Sequence, residues 1–191
     1  MRALARLILV MVVVLAMTPG CGAFGPRLVV NGGSGTDGPD AEVTLHDTVA
    51  HRPYSLGGWD MCLDRPGSVT VTGVELIKPY NDIVLQAFSS RPHRGAMLGM
   101  AEKPLTELGF PARSPAVAVA CEESTLHTEL ALQYAKSGDA DAGAEGVRIT
   151  YTSAGRERTV DFNLRVLLCA PGDTERCREA YEELRTSIND D

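Results

Sequence analysis

Residues 147–169 read "VRITYTSAGRERTVDFNLRVLLC". In the first half, Val147, Ile149 and Tyr151 alternate with Arg148, Thr150 and Thr152. In the second, Val160, Phe162, Leu164 and Val166 alternate with Asp161, Asn163 and Arg165. Successive side chains of a strand point to opposite faces, so each half has one apolar and one polar face. Between them "SAGR", at 153–156, has the length of a hairpin connection, with Gly155 free to take positive φ. One dry and one wet face per strand is the pattern of an antiparallel sheet packed on one side. The stretch therefore predicts a hairpin in a layered all-β domain.

The same period extends outward. "VTLHDTV" (43–49) alternates, and so does "VTVT" (69–72), after which Gly73 shifts the phase to Val74 and Leu76. Such a phase shift predicts a β-bulge. "IVLQAF" (83–88) and "AVAVAC" (116–121) read as short apolar strands, and "ELALQYA" (129–135) puts Leu130, Leu132 and Tyr134 on one face. The expected fold is all-β, a two-sheet sandwich of about seven strands. The arrangement resembles immunoglobulin-like sandwiches. It lacks their Cys…Trp…Cys spacing, because the single tryptophan, Trp59, precedes Cys62. At the C-terminus the period changes. Cys177, Tyr181, Leu184 and Ile188 form one helical stripe behind Asp173, a good N-cap. This predicts a short amphipathic helix over 171–191, packed on the sandwich.

The N-terminus carries Arg2 and Arg6, then the apolar run "LILVMVVVLAM" (7–17). That length suits a signal peptide and is too short for a spanning helix. Pro19, Gly20 and Cys21 follow. A small residue directly before a cysteine at this place resembles the bacterial lipoprotein cleavage site, which implies that Cys21 is lipidated. Parity agrees. The chain has five cysteines, and losing Cys21 to lipid leaves Cys62, Cys121, Cys169 and Cys177, an even set for an exported protein. Plain secretion, cut after Ala23, is the alternative. The division is then a signal peptide at 1–20, a flexible linker at 21–40, the sandwich at 41–170 and the helix beyond. The linker contains the Gly-rich "NGGSGTDGPD" (31–40), which has no Lys-Ser/Thr to make it a phosphate loop. The whole chain resembles exported lipoproteins of high-GC Gram-positive bacteria that carry a linker and one β-sandwich. That resemblance implies a place on the outer face of the cell membrane and no particular activity. Of the three ways to pair four cysteines, Cys121–Cys169 with Cys62–Cys177 is expected, and Cys62–Cys121 with Cys169–Cys177 is its main rival.

Composition narrows the function. Net charge is −7, and removing residues 1–20 removes two arginines and no acid. An acidic domain argues against nucleic acid and anionic headgroups as partners. No G-x-S-x-G, H-E-x-x-H or C-x-x-C is present, and the histidines at 46, 51, 93 and 127 are scattered. No catalysis, cofactor or resident metal is expected. In "HRPYSLGGWDMC" (51–62), Tyr54 and Trp59 could stack on a sugar, but core cover is the preferred reading.

The connection 89–115 is long for a compact domain, and long loops are usually functional or disordered. Its Met97, Leu98, Met100, Leu105, Leu108 and Phe110 argue against disorder, and "KPLTELG" (103–109) suggests one helical turn between Pro104 and Gly109. Arg91, His93, Arg94, Met97, Met100 and Phe110 are the candidate binding residues. Three readings compete: a plug on the open edge of the sandwich, a recognition element, or a Cu(I) site of His93, Met97 and Met100. A plug buries the methionines and recognition exposes them. Copper brings their sulfurs to His93. The function expected is a membrane-tethered, extracytoplasmic, non-catalytic binding or interaction module. Its partner would be an unknown protein or small anionic ligand, and Cu(I) handling is the alternative.

Overall fold

The computed structural model describes residues 25–31, 41–93, 95–113, 116–122, 126–172, 175–177, 179 and 182. These residues contain ten strands: β1 (Leu28–Asn31), β2 (Ala41–Leu45), β3 (Tyr54–Leu63), β4 (Val69–Tyr80), β5 (Ile83–His93), β6 (Met100–Ala101), β7 (His127–Lys136), β8 (Ala142–Ser153), β9 (Arg156–Phe162) and β10 (Leu164–Leu168). They form an all-β, two-sheet sandwich. Sheet A runs β1-β3-β7-β5, with β6 also paired to β3. Sheet B runs β2-β10-β8-β4, with β9 also paired to β8.

The hairpin at 147–169 is present. Ser153 faces Arg156 across Ala154 and Gly155, whose φ angles are 48° and 72°. Two positive φ values match the twist of a two-residue hairpin. Beyond it Asn163 interrupts the ladder, so β9 and β10 follow one another along the same edge of β8. The face is kept across the break. Phe162, Leu164, Val166 and Leu168 all enter the core. Opposite them, sheet A contributes Trp59, Met61, Leu130, Leu132 and Tyr134, and the Trp59 and Phe162 rings meet edge-on at 5.8 Å. Each fully buried side chain of this size stabilises the fold by about 1.5–3 kcal/mol. Tyr54 and Trp59 are both core residues of a central strand, as core cover requires.

Tyr134 and Lys136 are two of the buried polar residues on β7. Tyr134 is wholly buried, its Oη has no hydrogen-bond partner among the described residues, and burial pushes its pKa well up. Lys136 is also buried at the sandwich end, where Nζ donates to the carbonyls of Asp139 and Ala140. Desolvation lowers its pKa, against the pull of Asp141 and Asp139.

The phase shift at Gly73 is a bulge, between Val71 and Gly73. Four expectations need correction. First, 116–121 is a crossing segment and not a regular strand. Val117 exchanges backbone hydrogen bonds with Val69 of sheet B (3.0 and 2.9 Å), and Leu63 of sheet A takes up Val119 and Cys121 (2.8 and 2.9 Å). Second, this crossing lays Cys121 beside Cys62, with Cα atoms 4.9 Å apart. The pairs are therefore Cys62–Cys121 and Cys169–Cys177, the second closed by the turn after Pro171 that brings Cys177 to 5.4 Å from Cys169 in Cα separation. Third, part of the expected linker is structured, since residues 28–31 are β1 and pair with β3. Fourth, β5 runs to His93 and not to Phe88, so Arg91 and His93 are strand residues. The described positions among 175–182 are helical, and Cys177 is buried. Tyr181, Leu184 and Ile188 lie outside the described residues, as do Cys21, the apolar run and 32–40. No helix among the described residues is long and apolar enough to cross a membrane.

Candidate functional site

The outer face of sheet A is built by a second bulge. In β5 the register shifts between Leu85 and Ala87. Before it Ile83 and Leu85 face the core. After it Phe88 does, and Ala87 packs outside with Leu105 and Phe110. The shift moves the odd-numbered residues that follow to the outer face. Arg91 thereby stands beside Glu129 of β7, which stands beside Asp60 of β3, and His93 stands beside His127.

Segment 95–113 crosses this face twice as a strap. On the way out, Leu98 N donates to Glu129 Oε1 (2.5 Å) and Gly57 N donates to Gly99 O (2.8 Å). At the far edge β6 pairs with Ser55 and Leu56 of β3. On the way back, Ser55 Oγ donates to Lys103 O (2.6 Å) and Leu105 N donates to Gln133 Oε1 (2.9 Å). The expected turn is a 3-10 helix, Leu105–Leu108, ended by Gly109 at φ 79°. Arg91 then holds the return leg. Its Nε donates to Glu129 Oε2 (3.0 Å), its Nη1 to Leu108 O (3.2 Å), and its guanidinium lies 4.1 Å from the centre of the Phe110 ring. Ser89 Oγ donates to Pro111 O (2.7 Å).

Glu129 is therefore a fully buried carboxylate with two donors, one from sheet A and one from the strap. A buried charge is tolerable when it is paired and hydrogen-bonded, and expensive otherwise. Gly57 makes room for this arrangement. A Cβ there would lie 2.9 Å from both Glu129 Oε1 and the Leu98 Cβ.

At the end of the same face, His93 Nε2 lies 2.9 Å from Asp60 Oδ1 and His127 Nδ1 lies 3.4 Å from Asp60 Oδ2. The two imidazoles stack with centroids 5.5 Å apart. The His93 side chain is only 8% exposed, and its Nδ1 is buried without a partner among the described residues.

The candidate residues thus separate. Arg91 and Phe110 are clamps beneath the strap, and His93 is held by Asp60. Arg94 lies outside the described residues. Met97 and Met100 are 40% and 61% exposed. The strap lies on a sheet face and not on the sandwich edge, and its sheet-facing residues are Leu98, Leu105, Leu108 and Phe110. Asp60, His127 and Glu129 were not among the candidates. Period-two alternation did mark Glu129 as facing away from Leu130 and Leu132, but a charge on that face reads as solvated. Another group, His46, Cys169 and Cys177, brings one ligand atom each within 4.8 Å, with both sulfurs joined in the disulfide.

No protein-family model matches the chain, and no curated protein sequence matches it. Among solved structures it is similar to the Vibrio cholerae VesB protease, at TM-score 0.36 and 10% identity over 75% of this chain and 32% of that one. The chain thus spans about a third of that protein's length, and a likeness this distant carries no functional argument.

Proposed function

We propose that the protein is a membrane-tethered, extracytoplasmic binding module, non-catalytic, anchored through a lipidated Cys21 and presenting the strap to a partner protein. One observation carries the reading. The strap is fixed to sheet A from below, yet its two methionines point to solvent at 40% and 61% exposure. Its attachment is already supplied by Leu98, Leu105 and Phe110, so the thioethers serve no packing that anchors it. Unbranched, polarisable side chains on a fixed support are well suited to protein contact.

The test uses the full chain in membranes of the cells that make it. Photo-crosslinking from position 97 is expected to give a discrete adduct that disappears when Met100→Asp is added, and crosslinking from position 100 one that disappears with Met97→Asp, with thermal unfolding unchanged. An adduct indifferent to these substitutions removes the reading. Loss of Ag(I) or Cu(I) binding in Met97→Ala/Met100→Ala would favour copper handling instead. Intact mass before and after reduction tests the anchor. A diacylated Cys21 N-terminus with four hydrogens gained on reduction is expected, and a cut after Ala23 would make the protein secreted.

A further inference from the structure

The edge strands β4 and β5 follow one another through the turn at Asn81 and Asp82, yet they belong to different sheets. Both are bulged. The β4 register shifts between Val71 and Gly73, and the β5 register shifts between Leu85 and Ala87. A bulge bends its strand and increases local twist, and the two edges belong to different sheets. Between them opens a cleft of about 570 Å³. Val71, Val74, Leu85 and Phe88 line its apolar part, with Val74, Leu85 and Phe88 only partly buried.

Its polar part is built from donors. Arg113 lines the cleft on the returning strap, has no ion-pair partner among the described residues, and no carboxylate lines the cleft with it. In a chain of net charge −7 an unpaired guanidinium over an apolar groove is a specific arrangement. Gln86, the bulged residue, accepts from Gln133 Nε2 through its Oε1 (2.8 Å), which leaves its NH₂ to donate. Ser89, bonded to Pro111 O (2.7 Å), fixes the strap just before Arg113. A mainly apolar cleft of this volume with a few convergent polar groups is the usual form of a small-molecule site.

From this geometry we infer that the β4–β5 cleft binds a single-tailed amphiphilic anion, its hydrocarbon over Val74, Leu85 and Phe88 and its carboxylate or phosphate on Arg113. The site is separate from the exposed methionines and does not depend on their role. The test is a titration of the full-length exported chain, ¹³C-labelled at Val and Leu methyls, with sodium decanoate below its micelle concentration. Saturable shifts confined to Val71, Val74 and Leu85 are expected. Decanol, with the tail and no charge, is expected to bind at least about tenfold more weakly, the worth of one charge-assisted hydrogen bond. Acetate, with the charge and no tail, is also expected to bind at least about tenfold more weakly, because it buries no hydrocarbon over the cleft. Decyl phosphate against decanoate identifies which headgroup Arg113 prefers. Arg113→Glu is expected to weaken decanoate by about tenfold and Arg113→Lys to restore most of it. No saturable shift at these methyls, equal affinity for decanol, or indifference to Arg113→Glu overturns the inference.

Discussion

The outer faces of the two sheets handle charge in opposite ways. On sheet B, Arg148 and Asp161 are cross-strand neighbours joined by two hydrogen bonds of 2.7 and 2.8 Å, and their side chains are 52% and 45% exposed. Each holds the other in its charged form, lowering the Asp161 pKa and raising that of Arg148. On sheet A, Arg91 and Glu129 are also cross-strand neighbours, at 3.0 Å, but the carboxylate is fully buried beneath the strap. Both are cross-strand guanidinium–carboxylate pairs, joined by two hydrogen bonds on sheet B and by one on sheet A, and the covering sets their burial. An exposed pair exchanges water for its partner at little gain. A buried one is required by its own burial, because losing either member strands the other.

Breaking the pairs separates them most sharply. Glu129→Ala is expected to destabilise by about 3–5 kcal/mol, since it leaves the Leu98 N–H and part of the Arg91 guanidinium without an acceptor. Asp161→Ala should leave the urea midpoint nearly where it was, because the small contribution of this exposed pair is present at neutral pH and is lost as pH falls through the lowered Asp161 pKa. Equal midpoint shifts for the two variants would end the comparison.

The disulfides follow the same division. Cys62–Cys121, on the sheet A side, closes 59 residues, and Cys169–Cys177, at the end of β10, closes 8. Loop-closure entropy gives about 4 kcal/mol for the first and about 2.5 for the second. Urea denaturation of the two double-serine variants should rank them in that order.

Gly57→Ala presses a methyl into the Glu129–Leu98 contact and should cost about 1–3 kcal/mol. Its signature is faster hydrogen exchange at Leu98 and Leu105 with β8 and β9 unaffected. Uniform loss of protection would mean that the strap and the sandwich open together.

The smallest effect lies on the inner face of β7. Tyr54 Oη accepts from Val49 N at 2.7 Å, whereas Tyr134 Oη has no partner among the described residues. Tyr134→Phe should therefore change neutral-pH stability by no more than about 1 kcal/mol, in either direction. The raised pKa means the unfolded tyrosine loses its proton first, so stability falls as pH rises above about 10, by about 1.4 kcal/mol per unit. Lys136 has the opposite sign. Its pKa is lowered in the fold, so stability is gained between that value and about 10.5. Above about pH 10.5 the phenylalanine variant should lose stability less steeply than the parent, as read from unfolding at stepped pH.

Much of the sandwich was legible because its signal is local. Alternation needs only neighbours in sequence, so 129–135, 147–152 and 159–168 declared their faces, and the Gly73 bulge announced itself as a phase break. The hairpin at 153–156 was equally plain, because Gly155 supplies a conformation that other residues resist. The strap, the pairing of its clamps and the disulfides were not legible in this way. "AVAVAC" has the composition of a strand and became a crossing segment, because Val69 and Leu63, on different sheets, each claimed part of its backbone. "SLGGW" (55–59) showed no alternation to mark it as a strand and is part of a bulged central strand, where Gly57 leaves the space that the strap occupies.

By itself, then, the sequence determined the class of fold, the inward faces of its strands, the hairpin, the first bulge and the extra mass of the 89–115 connection. Tertiary structure alone decided which charges are buried. The β5 bulge at Gln86 carries no glycine or proline to mark it, yet it turns Arg91 and His93 outward and helps to open the cleft beside Arg113. Its cause is register against β7, a contact between residues more than forty positions apart, and no local pattern encodes such a contact.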